Sequence, residues 1–94
     1  MNKQLYPSPS EQELFKAILE LKGKKEAANF FRDLLTSTEI SEFANRWKIA
    51  RLLYSGKSYL KIAKETGTST TTVTRVAHWL NKGMGGYKKV LDKL

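Results

Sequence analysis

The chain has 94 residues, of which 40% are hydrophobic and 28% are charged, and its formal net charge is +8 at pH 7. This length predicts one domain over residues 1–94. The composition indicates neither disorder nor a membrane span, since no apolar run approaches the roughly 18–20 residues that span a bilayer. There is no cysteine and one histidine, so we expect no disulfide and no metal site in a cytoplasmic protein.

The positive charge is concentrated in the second part of the chain. Residues 1–35 hold six basic and five acidic side chains, whereas residues 36–94 hold eleven basic and four acidic ones. Such a field attracts a polyanion, and each phosphate that is neutralised releases condensed counterions. The alternative is that lysines simply cover a helical surface.

Residues 1–9 contain two prolines and predict a flexible leader. Ser10 and Glu13 have the spacing of a capping box, which predicts a first helix that Gly23 ends. A second helix is expected from about Lys25 to Leu35. The adjacent phenylalanines of the second helix indicate neighbours on two sides, which are either core residues of one subunit or a second copy of the chain in an intertwined dimer.

A third and longest helix is predicted between two local signals. Thr36 and Glu39 form a second capping-box pattern, and Gly56 ends the helix after Tyr54. The second half of this helix is apolar all round, which is typical of a helix in the middle of a bundle.

The stretch from Ser58 to Leu80 predicts a helix-turn-helix. Ser58 and Ser69 can each cap a helix through the side-chain hydroxyl, and Gly67 supplies the positive φ that ends the first helix. In the second helix the apolar residues recur at i, i+3, i+4 and i+7, which defines a buried face made of Val73, Val76, Ala77 and Leu80. The opposite face is rich in threonine and basic residues and has no acid. The alternative is an ordinary helical hairpin whose threonines form a solvated cap.

After this motif, the glycines at 83, 85 and 86 predict a hinge, followed by a short helix from about Tyr87 to Lys93. The sequence thus predicts an all-α fold of six helices.

In a helix-turn-helix homodimer, the second helix of the motif from each subunit would enter the major groove of double-stranded DNA. The two helices would occupy successive major-groove faces about 34 Å apart. The candidates for base contacts are Thr70, Thr71, Thr74, Arg75 and His78. Arg75 is the one that can grip a guanine bidentately. The candidates for phosphate contacts are Lys57, Lys61, Lys64, Ser69 and Lys82.

Other functions fit the sequence less well. His78 has no evident nucleophile or acid partner, and no phosphate-binding glycine loop is present, so we expect no enzyme activity. RNA binding is less favoured than DNA binding, because the sequence pattern exposes no platform of aromatic side chains on which bases could stack. The main alternative is a non-catalytic adaptor that uses the helix-turn-helix fold to hold another protein.

Several short motifs carry a resemblance to a known family. They are the LTSTE segment at Leu35–Glu39, the pair Leu52–Leu53, Ser58, Gly67, and TVTR at Thr72–Arg75. On these residues, the stretch from Leu34 to Leu80 resembles the Trp repressor family, and more closely its YerC/YecD group. The resemblance implies an intertwined homodimer of six helices that binds a palindromic operator and represses transcription.

The tryptophan pocket of that family is matched in part. In a gapless alignment the arginine that stacks on the corepressor falls on Asn45, beside Arg46, and the second pocket arginine is matched by Arg75. The pocket glycine becomes Val76 and a small polar residue becomes Trp79. We therefore expect no cofactor and no binding of free tryptophan, because these two side chains would occupy the position of the indole.

Overall fold

The computed structural model describes residues 5–94, so the first four residues of the predicted leader lie outside the described part. Within that part the chain forms six α-helices and no strand, which confirms the all-α prediction. The helices are α1 (Pro9–Leu19), α2 (Gly23–Leu34), α3 (Ser37–Tyr54), α4 (Tyr59–Thr66), α5 (Thr70–Lys82) and α6 (Gly86–Leu91). Two compact units are present, one extending through Ser37 and the other comprising Thr38–Leu94. That both belong to a single domain stays a prediction.

The capping box of α1 lies two residues earlier than predicted. The Ser8 hydroxyl accepts a hydrogen bond from the Glu11 N–H at 3.2 Å, and the Glu11 carboxylate accepts one from the Ser8 N–H at 2.7 Å. The prediction at Ser10 and Glu13 was wrong because Pro9 occupies the first helical position, where its fixed φ and missing N–H are favourable. The helix therefore begins inside the predicted leader.

The prediction that Gly23 ends the first helix was wrong. Helix α1 already ends at Leu19, and Gly23, which has a φ of +82°, is the first residue of α2, two residues before the predicted start at Lys25. The Lys22 N–H donates to the Glu26 carboxylate at 3.0 Å at the start of α2. Neither helix has a fully buried residue within the chain.

The core of the second unit joins α3, α4 and α5. Its buried members are Ile49, Ala50, Ile62, Ala63, Val73 and Val76, and Leu52, Leu53 and Tyr87 pack against them. Ile49 and Ala50 of α3 are thus buried and Leu52 and Leu53 partly buried, whereas Tyr54 is 48% exposed, so the all-round apolar pattern is covered on only part of the helix. This shared core connects α3 to the helix-turn-helix.

Helix α6 packs on α5 and is attached to α3 by two side-chain contacts. The Tyr87 ring stacks on Trp47 with 6.3 Å between ring centroids, and the Tyr54 hydroxyl donates a hydrogen bond to the Asp92 carboxylate. Leu91 is buried, but the helix ends there rather than at Lys93. Leu94 remains 83% exposed within the chain and so takes no part in this docking.

Candidate nucleic-acid interface

The helix-turn-helix is built from the local signals that the sequence contains. The Ser58 hydroxyl accepts from the Lys61 N–H at the start of α4, and the Ser69 hydroxyl accepts from the Thr72 N–H at the start of α5. Between them Gly67 has a φ of +65°, the left-handed conformation that ends α4. The turn is held further by the Thr66 hydroxyl, which donates to the Ile62 carbonyl at 2.7 Å.

Helix α5 has one buried face and one exposed face. The predicted apolar face is buried throughout, with Val73 completely inaccessible. The five predicted base-contact residues are all exposed, and they lie on one helix without an acidic neighbour: Thr70, Thr71, Thr74, Arg75 and His78. The structure therefore places these side chains together on an accessible surface.

Two threonines of this surface are joined by a hydrogen bond that restricts what they can offer to a ligand. The Thr74 hydroxyl donates to the Thr70 carbonyl one turn earlier, at 2.9 Å. With its proton used in this way, the Thr74 oxygen presents only acceptor capacity to a ligand. Because the acceptor is a backbone carbonyl, a threonine inside a predicted helix is the signal that could have predicted this bond, whichever residue lies four positions earlier.

The predicted phosphate-contact residues differ in their surroundings. Lys61, Lys64 and Lys82 are exposed, and so is Ser69, whose hydroxyl caps α5. Lys57 is also exposed, but its ammonium group makes an ion pair with Glu65 at 2.9 Å. This ion pair joins the loop before α4 to the last turn of α4, and the sequence analysis did not predict it.

Glu65 lies in a strongly positive environment. The hydrogen bond from Lys57 is the largest cause that lowers the pKa of Glu65, and the positive charges of Lys57, Lys48 and Lys61 lower it further. These three lysines belong to the loop, to α3 and to α4 respectively. The carboxylate is therefore held ionised at neutral pH among cations from three parts of the second unit.

A cleft of about 340 Å³ lies next to α5. It is lined by side chains from α3, α5 and α6, namely Arg46, Thr72, Arg75, Val76, Trp79 and Tyr87. The gapless alignment placed the corepressor-stacking arginine of the family on Asn45, but the α3 residue that lines the cleft is Arg46. Val76 and Trp79 form part of the wall and leave space beside them, so the absence of tryptophan binding stays a prediction. Thr72 and Tyr87 are wall residues that the sequence analysis did not assign to any site.

Residues 5–94 contain neither a candidate metal site nor a candidate membrane-spanning helix. Between residues 5 and 94, no three histidine, aspartate or glutamate side chains group as a metal site requires. In the same part of the chain, every helix is too short or too polar to cross a bilayer.

Comparison with known proteins identifies the family. Residues 10–94 match the family model described as Trp repressor protein. The chain belongs to the Trp repressor family. The predicted resemblance is thereby confirmed, and the six helices are those of a Trp-repressor-like fold.

Individual relatives of this family member agree with that assignment. YerC of Bacillus subtilis (strain 168), an uncharacterized protein, is 45% identical over 82 residues, which are 87% of this chain and 79% of YerC. The crystal structure of a TrpR-like protein from Eubacterium eligens matches with a TM-score of 0.88 and 40% identity, covering 93% of this chain and 90% of that one. A Trp repressor candidate from Staphylococcus aureus matches with a TM-score of 0.84 and 38% identity, covering 89% and 84%.

Proposed function

We propose that this Trp repressor family member is a cytoplasmic, sequence-specific transcription regulator without enzyme activity. It binds a palindromic site in double-stranded DNA as a homodimer and represses transcription. Helix α5 enters the major groove, and α4 lies across the sugar-phosphate backbone. Family membership supports this proposal, as do the structure and charge of the second unit.

The observation that carries the proposal is the two-sided character of α5. One face is buried in the core, which holds the helix rigidly, and the other presents threonines, Arg75 and His78 to solvent. Base edges in the major groove are recognised by such short hydroxyl side chains and by arginine. The surrounding charge favours phosphates, because residues 36–94 have eleven basic and four acidic side chains.

The homodimer is supported by the first unit. Helices α1 and α2 leave apolar side chains accessible, with Leu19 exposed by 81% and Leu34 by 47%, and they bury no residue completely. Helices with such exposed apolar residues are stabilised when a second copy covers them. A two-fold axis would also present two copies of α5 to one duplex.

The experiment that tests DNA binding directly is fluorescence anisotropy of a labelled mixed-sequence duplex titrated with the protein at several salt concentrations. We expect binding that weakens steeply as salt rises, because counterion release supplies most of the sequence-independent affinity. A protein-binding adaptor would leave the anisotropy unchanged even at low salt. That outcome would contradict the proposal.

A further inference from the structure

Glu65 is an unusual residue for a surface that meets DNA. Between Phe43 and Leu91 it is the sole acidic residue of the sequence. The same stretch contains ten basic residues: Arg46, Lys48, Arg51, Lys57, Lys61, Lys64, Arg75, Lys82, Lys88 and Lys89. The acid lies in α4, the first helix of the helix-turn-helix, and therefore within the predicted phosphate-contact region.

The contact that Glu65 makes is specific. Its carboxylate accepts a hydrogen bond from the Lys57 ammonium at 2.9 Å, and the two side chains are about equally exposed, at 41% and 42%. An exposed ion pair of this kind adds little to folding stability. A role in stability therefore explains poorly why an acid is placed among lysines from α3, the loop and α4.

We propose that Glu65 attenuates the sequence-independent attraction of this protein to DNA by holding the Lys57 ammonium in an intramolecular ion pair. This inference rests on the proposed function. A phosphate that approaches Lys57 must compete with a carboxylate that is already in contact. Lys57 therefore contributes less to phosphate binding than Lys61 and Lys64, which are exposed lysines of the same motif. The effect lowers affinity for every duplex and leaves sequence preference unaltered, because Glu65 does not lie on α5.

The test compares Glu65→Gln with the wild-type protein in anisotropy titrations of a mixed-sequence duplex between 50 and 200 mM salt. The amide keeps the shape of the side chain and removes its charge, so Lys57 becomes available to phosphate. We expect tighter binding and a salt slope that is steeper by about 0.9 per subunit. The advantage of the variant over wild type should accordingly shrink by about threefold per subunit between the two salt concentrations.

Two further variants test this mechanism. Glu42→Gln separates it from a change in total charge, and a double variant, whose net charge equals that of wild type, tests whether the effect of Glu65→Gln depends on Lys57. Glu42→Gln removes an exposed carboxylate from α3 and makes the same change in net charge, and it should leave the salt slope as in wild type. The double variant with Glu65→Gln and Lys57→Met should return the slope to the wild-type value, because the released ammonium is then absent. Circular dichroism checks that each variant remains helical.

The inference is overturned if Glu65→Gln binds with wild-type affinity and slope, or if Glu42→Gln has an equal effect. It is overturned as well if the Lys57→Met substitution fails to reverse the effect of Glu65→Gln. Those results would leave the proposed function intact, because the wild-type protein would still bind. If neither wild type nor Glu65→Gln binds the duplex at 50 mM salt, the proposed function fails and this inference fails with it.

Discussion

Arg75 and Lys61 are both exposed cations of the helix-turn-helix, but we expect them to act differently on DNA. Arg75 projects from α5, where a guanidinium can make two hydrogen bonds to a guanine edge, whereas Lys61 belongs to α4 and meets phosphate. Arg75→Ala should reduce the binding free energy by about 1–3 kcal/mol and relax the sequence preference at the one base pair that Arg75 contacts. Lys61→Ala should weaken all sequences alike and reduce the salt slope by about 1.

Competition binding with a panel of duplexes that differ at single base pairs, measured at several salt concentrations, distinguishes the two roles. Equal losses on every duplex from both variants would contradict the assignment of Arg75 to base recognition.

The cleft beside α5 gives a second prediction at the scale of single residues. Val76 is buried and Trp79 is 57% exposed, and both form its wall. Because these side chains replace the small residues that the family resemblance implies, we expect calorimetric titration with L-tryptophan to show no binding. Val76→Gly combined with Trp79→Ser provides the matched variant with a wider cleft. Binding to the wild-type protein tighter than millimolar would contradict the prediction.

At the scale of elements, local chemistry predicted the helix-turn-helix well. The caps at Ser58 and Ser69 and the glycine stop at Gly67 depend on residues within a few positions of each helix end, so the sequence contains the complete signal. The α1 cap was misplaced because two overlapping capping-box patterns occur, and Pro9 was the local signal that decides between them.

The α4 stop can be tested by substitution. Gly67 has a φ of +65°, and a Cβ there would meet no atom within 4 Å, so an alanine is disfavoured by backbone conformation alone. Gly67→Ala should lower the free energy of unfolding by about 1–2 kcal/mol. Urea denaturation measures the change. Gly86→Ala is the control, because its Cβ is equally unobstructed and its φ lies outside the positive region. Equal stability of both variants would contradict this account.

The contacts that sequence could not predict join residues far apart in the chain. Tyr54 and Asp92 are 38 positions apart, and Lys57 and Glu65 are eight apart across a loop and a helix. No local pattern encodes these pairs, because each forms only after the segments that carry its two residues have come together. The same is true of Arg46 and Tyr87, which meet Trp79 only around the folded cleft.

The attachment of α6 to α3 should depend on pH. The hydrogen bond to Asp92 is the largest cause that raises the pKa of Tyr54 above its ordinary value. A raised pKa means that the folded state favours the protonated phenol. The stabilisation is therefore complete below about pH 10, the ordinary value, and is lost as pH rises through the folded pKa.

Thermal denaturation of wild type and Tyr54→Phe at a series of pH values tests this. We expect the variant to have the lower Tm at pH 8, and the difference to disappear well above pH 10. Tyr59→Phe, which removes the hydroxyl of an exposed tyrosine on α4, is the control. A Tm difference that stays constant with pH would contradict the assigned role of the Tyr54 hydroxyl.

At the scale of the whole molecule, the charge distribution predicted a polyanionic partner and the helix-turn-helix pattern specified DNA, but neither encodes subunit geometry. The sequence left two explanations for the apolar residues of α1 and α2, a core within one subunit or a second copy. Within the chain these helices bury no residue completely, and the second explanation stays part of the proposed function. The distance between two copies of α5 would then determine the spacing of the DNA half-sites.

The central claim is that two copies of α5 read one two-fold-symmetric duplex. Selection of bound sequences from a random duplex pool, followed by sequencing, tests it most directly. We predict enrichment of a palindrome whose half-sites lie about one helical turn, 10–10.5 base pairs, apart. No enrichment over the starting pool, or enrichment of a single asymmetric site, would contradict the account.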